Sequence, residues 1–240
     1  MRGVARRRQP LGKRVRRQAE ILWRFRYHFL CAVGALLLWN TVLIKPFKVF
    51  VVMVHEVCHA TAALMTGGEV IEIHTAWEES GHTLTRGGWS MVIISAGYVG
   101  SALIGAALIG AGILPQLQRF LVLLVGAVTM GMTMAFTPVG GPDFLLGIVG
   151  GLALVCLAMY SARAGAACAV WLGVMLCLYS VHDFHSDLWL FAEYTDAGIL
   201  AAYWGLPWLA YPIATLWVWL SLWVMYRAMG VVMKHEPSQS

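Results

Sequence analysis

Charge is what this sequence has least of. Only 12% of its 240 residues are Asp, Glu, Lys or Arg, while 60% are hydrophobic. Soluble domains carry about 25% charged residues. So few charges cannot cover a water-facing surface, which excludes an ordinary soluble globule and makes lipid the expected solvent. Paired cysteines are also missing. Cys31, Cys58, Cys156, Cys168 and Cys177 all lie in apolar stretches and none forms a C-x-x-C pair. That pattern fits reduced, buried, small apolar residues and points away from a disulfide framework. No internal repeat and no low-complexity tract occurs. No A-x-A site follows the first apolar run, which ends near Ile44, so that run is expected to be a span and not a cleaved leader.

The charge that is present is unevenly placed. Ten of the seventeen Lys and Arg residues lie between Arg2 and Arg26, opposed only by Glu20, and the rest of the chain is acidic on balance. A basic tail (1–27) directly before an apolar span is expected to stay cytoplasmic and to lie against anionic lipid headgroups, with no specific nucleic-acid partner. Beyond it, long uncharged runs at 28–44, 49–66, 89–113, 119–137, 144–161, 165–181 and within 197–229 predict an all-α polytopic membrane protein. Six or seven transmembrane helices are expected in one membrane-embedded domain, 28–230, with a short polar C-terminal tail, 231–240. Pro207 and Pro212 make the last run either a kinked helix or a short surface helix followed by a span.

One polar insert, 67–88, interrupts this pattern. Glu69 to Trp77 is rich in β-branched residues with a partial period of two, Glu79-Ser80-Gly81 can turn the chain, and His82 to Thr85 can return it. A small β-hairpin is predicted, released by Gly87 and Gly88 into the next helix. That helix carries Ala96/Gly100, Ser101/Gly105 and Ala106/Gly110, small residues four apart that let helices approach closely in lipid.

Within the second span runs Val54-His55-Glu56-Val57-Cys58-His59-Ala60. Residues four apart on a helix share a face, one turn apart. Two imidazoles so placed can grip one metal ion, and Glu56, beside the first, can reach a water on that metal. The motif is flanked by apolar residues on both sides. An ionisable group at such depth costs about 2.5–3.5 kcal/mol or more on insertion scales. A divalent cation offsets that cost; a hydrogen-bonded polar cluster joining helices is the alternative.

The stretch from Val54 to Gly68 resembles the M50 site-2-type intramembrane zinc metalloproteases, and its M50B-like branch in particular. Gly81-His82-Thr83-Leu84-Thr85-Arg86-Gly87-Gly88, Ser95-Ala96-Gly97-Tyr98-Val99-Gly100-Ser101, Leu178-Tyr179-Ser180 with Asp183, and Thr195-Asp196-Ala197 carry the rest of the likeness. The resemblance implies a Zn2+ cofactor held by His55, His59 and an aspartate, with Glu56 as catalytic base. Asp196 is the first choice for the aspartate, through the branch's Ser-Asp-Ala pattern with Thr in the first place, and it begins a helix, where a carboxylate is stabilised. Asp143 is the runner-up, since Thr137-Pro138-Val139-Gly140-Gly141-Pro142-Asp143 is similar to the proline-rich segment ahead of the ligand in other site-2 proteases. Asp183, Asp187 and Glu193 remain open. His182 and His185 with either neighbouring aspartate suggest a second metal site, a set of outer contacts that orients the ligands, or a solvated loop. His74 and His82 read as surface residues.

The implied reaction is hydrolysis of peptide bonds in or near transmembrane segments of a membrane-protein or peptide substrate. Strand residues Ile71 and Ile73 would bind the unwound substrate by strand addition. A metal-binding or metal-transporting membrane protein without hydrolysis, and an inactive protease-like scaffold, are the rival readings.

Overall fold

Proline and short capping motifs, more than charge, divide this apolar chain into helices. A computed structural model describes residues 19–190 and 195–234, and the side chains of all of these except 182–190. The basic residues up to Arg17, Glu193, and the side chains of His182, Asp183, His185 and Asp187 lie outside the described residues.

The first expected span is shorter than the sequence suggested. Helix α1 covers Arg26–Leu38, 13 residues, or about 20 Å at 1.5 Å per residue, against about 30 Å of hydrocarbon. It stops because Thr41 turns back on it. The Thr41 amide and hydroxyl both donate to the Leu38 carbonyl, at 2.8 and 2.7 Å. The chain then re-enters a helix with Pro46 in the first turn of α2, Lys45–Met65, where proline's missing N–H is harmless.

Beyond α2 and the hairpin come α3 (Ser90–Gly110), α4 (Pro115–Phe136), α5 (Pro142–Tyr160), α6 (Ala162–Leu190), the short α7 (Asp196–Tyr203) and α8 (Ala210–Lys234). Six helices, α2 to α6 and α8, are long and apolar enough to cross a membrane. The ambiguous stretch 197–229 resolves as a short helix followed by a span. Pro207 opens a single 3-10 turn, Pro207–Leu209, that separates α7 from α8. Large apolar side chains such as Leu37, Phe120, Leu145, Trp219 and Trp223 are exposed, as a lipid-facing surface requires and a watery one would not tolerate.

Helix α2 is the centre of the bundle. Two thirds of its apolar stretch (67%) is buried, against 11% for α8. Val51, Met53 and Val54 are almost completely enclosed, and α2 packs against α3, α4, α5 and α6. It ends in a Schellman turn. Gly67 takes a left-handed φ of 80°, the Gly68 amide donates to the Ala63 carbonyl at 2.8 Å, and the Gly67 amide donates to Leu64 at 3.3 Å. The turn sends the chain straight back over α2 as the hairpin.

Strands β1 (Glu69–Thr75) and β2 (Gly81–Arg86) pair antiparallel, from Glu69 opposite Arg86 to Thr75 opposite Gly81. The predicted hairpin is therefore present, with one irregularity. Val70 faces Thr85 while Glu72 faces Leu84, so Ile71 is an extra, bulged residue. The bulge resets the alternation. Val70, Ile73 and Thr75 point inward together, and Ile71 points out. Ile73 is fully buried in a cluster with Met53, Val57 and Ile93. Its side chain faces the core, so any part Ile73 plays in strand addition would fall to its backbone.

The hairpin is pinned to the bundle at both ends of its arc. Lys48, buried on α2 over the Trp39 ring, forms an ion pair with Glu79 in the turn, and Tyr179 of α6 donates to the Glu79 carbonyl at 3.1 Å. His74 Nδ1 lies 2.7 Å from the Asp143 carboxylate at the start of α5.

Candidate metal centre

The site begins with one turn of α2. His55 and His59 project from the same face, four residues apart, with ring centroids 4.8 Å from each other. Their Nε2 atoms are 3.1 Å apart. Asp196 Oδ2 reaches the same point from α7, 3.1 Å from His55 Nε2 and 3.2 Å from His59 Nε2. Thr195 makes that approach definite. It caps α7 by accepting the Gly198 amide at 3.1 Å, which fixes Asp196 as the first helical residue. Ala197, Leu200 and Ala201 are buried where α7 packs against α3 and α8.

Second partners set the roles of the rings. The Nδ1–H of His59 donates to the Ile93 carbonyl at 2.6 Å, which leaves the Nε2 lone pair of the neutral ring aimed at His55 and Asp196. The Tyr98 ring meets His55 edge to face at 5.0 Å and stacks on Trp217 at 5.6 Å. Such outer contacts hold ligand rings in one orientation and one tautomer. Gly97, two turns into α3 and one turn on from Ile93, supplies the remaining wall. A Cβ there would overlap Nε2 of both histidines.

Three electron-rich atoms at mutual distances of 3.1–3.2 Å repel one another unless a cation or shared protons lie between them. Bonds of about 2.0–2.1 Å from a tetrahedral zinc place neighbouring ligand atoms about 3.3 Å apart, and three protein ligands with one open position is the catalytic pattern. Among the described residues, His55, His59 and Asp196 are the one group of three or more His, Cys, Asp or Glu side chains that could hold a metal ion. The donor set and its spacing both fit zinc. The His55 and Asp196 side chains remain 13% and 17% exposed, enough for water to reach a site otherwise walled by apolar side chains.

The other sequence candidates lie elsewhere. Asp143, the runner-up ligand, is buried against His74 at the hairpin and takes no part in the triangle. His74 and His82 meet across the strands with their rings tilted, 5.4 Å between centroids. Glu56 is buried next to His55, and its carboxylate accepts a hydrogen bond from Thr83 of β2 at 2.7 Å. Gly97 and Thr83 have roles that the sequence alone did not assign. The row of small residues on α3 was the available signal for Gly97.

The steric reading of Gly97 is testable. Gly97→Ala is expected to weaken zinc binding about 10–100-fold, the usual effect of disturbing a ligand's support, measured by chelator competition on the folded protein. An unchanged affinity would show that α3 can yield at this point.

The chain matches a family model described as Peptidase M50B-like over residues 29–228. No curated protein and no solved structure matches it.

Proposed function

Because the chain belongs to the Peptidase M50B-like family, we propose that it is an intramembrane zinc metalloprotease that cleaves peptide bonds in or near transmembrane segments. The observation that carries this reading is the convergence of His55, His59 and Asp196 on one point, with Glu56 next to His55 in the chain. Zinc bound there would polarise the scissile carbonyl and make a water molecule acidic enough to react at neutral pH.

The chain's own residues supply the rest. His55, His59 and Asp196 present two neutral nitrogens and one negative oxygen, which leaves the metal a net positive charge for the developing oxyanion. Glu56 accepts the proton of the attacking water and hands a proton to the departing amine. Tyr98 packs on His55, and the absent Cβ of Gly97 leaves space for both imidazoles. A substrate helix hides its carbonyls in its own hydrogen bonds, so it must unwind before attack. Ile71, exposed and bulged on β1, is the position where the hairpin could pair with such an unwound segment.

The test uses zinc-loaded, full-length protein. Fluorescein-labelled casein in detergent offers exposed peptide bonds, and a single apolar helix with Asn-Gly at its centre, in vesicles, offers a span that unwinds readily. Casein hydrolysis and a cut inside the span, mapped by mass spectrometry and stopped by a zinc chelator, are expected. Ile71→Pro should slow cleavage of the span while leaving zinc content unchanged. Zinc flux across the vesicles with neither substrate cut would overturn the protease reading, and parental cleavage by Ile71→Pro would remove the hairpin-edge role.

A further inference from the structure

We infer that Thr83, on strand β2, is a positioning residue that holds Glu56 in its working orientation. This rests on the reading of Glu56 as the base. The Thr83 hydroxyl lies 2.7 Å from Glu56 Oε2 and 3.0 Å from the backbone carbonyl oxygen of the same residue. The single hydroxyl proton is thus within reach of two acceptors on one residue, and the shorter contact, to the carboxylate, is the one that holds the end of the flexible side chain. Glu56 is 5% exposed, so water cannot readily replace that contact, and a carboxylate without it would turn toward whatever donor is near.

Strand geometry explains why β2 does this. Residues two apart on a strand face the same way, so Gly81 and Thr83 both look down on Glu56. Thr83 occupies Oε2. Gly81 leaves room at Oε1, where an added Cβ would come within 2.7 Å of that oxygen and 2.9 Å of Cγ. The result is a carboxylate with one oxygen held by β2 and the other left uncrowded by that strand, as a group that must collect a proton requires. Threonine suits the post because its branched Cβ restricts the hydroxyl to few rotamers. The anchors described above, Lys48–Glu79, Tyr179 to Glu79 and His74–Asp143, keep the strand at that height over α2.

The test compares Thr83→Val, Thr83→Ser and Glu56→Gln in the zinc-loaded, full-length protein, with labelled casein as the probe. Thr83→Val keeps the shape and loses the hydroxyl. It should retain zinc and KM while kcat falls about 10–100-fold, as for loss of a supporting hydrogen bond at a metal site. Thr83→Ser should restore most of kcat. A merely structural residue would instead lower zinc content and thermal stability. An experimentally determined structure of Thr83→Val should show the Glu56 carboxylate displaced from β2. Parental kcat in Thr83→Val with Glu56→Gln inactive, or an unmoved Glu56 in that structure, would overturn the assignment. Should the parent protein cleave no casein, the protease reading is what fails, and the Glu56 position in Thr83→Val still judges the hold on its own.

Discussion

Asp196→Ala and His59→Ala are each expected to leave purified protein with almost no zinc, about one tenth of an equivalent or less against about one for the parent, because two remaining ligands rarely retain a catalytic zinc. Asp143→Ala should keep its metal. The distances decide this contrast. Asp196 Oδ2 lies within 3.2 Å of both histidine nitrogens, whereas Asp143 is engaged with His74 beneath the hairpin. Metal analysis, with circular dichroism to confirm helical content, reads the outcome directly. A zinc-free Asp143→Ala beside a zinc-loaded Asp196→Ala would reverse the assignment of the third ligand. It would also require the hairpin to leave its place over α2.

Glu56→Gln is expected to separate chemistry from binding. Glutamine keeps the length of the side chain and an oxygen that can accept the Thr83 hydrogen bond, but it cannot take a proton from water. Turnover should fall about 10²–10⁴-fold, the range for a positioned general base, while zinc stays near one equivalent. A metal carrier behaves in the opposite way. If Glu56 were a passage ligand with His55 and His59, Glu56→Gln would abolish zinc binding, and no peptide-bond cleavage would exist to be lost. Zinc content and casein hydrolysis, measured on one preparation, distinguish the two.

The central part of this architecture was legible in sequence because lipid imposes simple rules. Long uncharged runs had to be helices, and the polar insert after Met65, with its β-branched residues and glycines, had to be something else. His55, Glu56 and His59 declared themselves by spacing on one helix. What the sequence hid was set by tertiary packing. Leu38 ends α1 early because Thr41 folds back on its carbonyl, a local capping event that a hydropathy run does not reveal. Ile73 takes the inward face, opposite to the one simple alternation from Val70 gives it, while Ile71 stays outward, because one bulged residue shifts the phase. Asp196 lies 141 residues from His55, so their meeting could be suggested only by resemblance. Its place in the triangle follows from how α7 docks on α3 and α8. Gly97 and Thr83 belong to the same class. Each is ordinary in sequence, and each acquires a role only when another element is laid against it.

The wide separation between the two halves of the triangle bears on how such a protein is made. A ribosome that has released the first five long helices has already delivered both imidazoles and the glutamate, yet the acid that completes their grip is still to be translated. Until α7 and α8 are inserted and seated, the nascent chain carries only two corners of the triangle. If the chain is the protease proposed above, a truncated copy left in the bilayer would be harmless to its neighbours, since the last piece of its cutting centre is the last to be made.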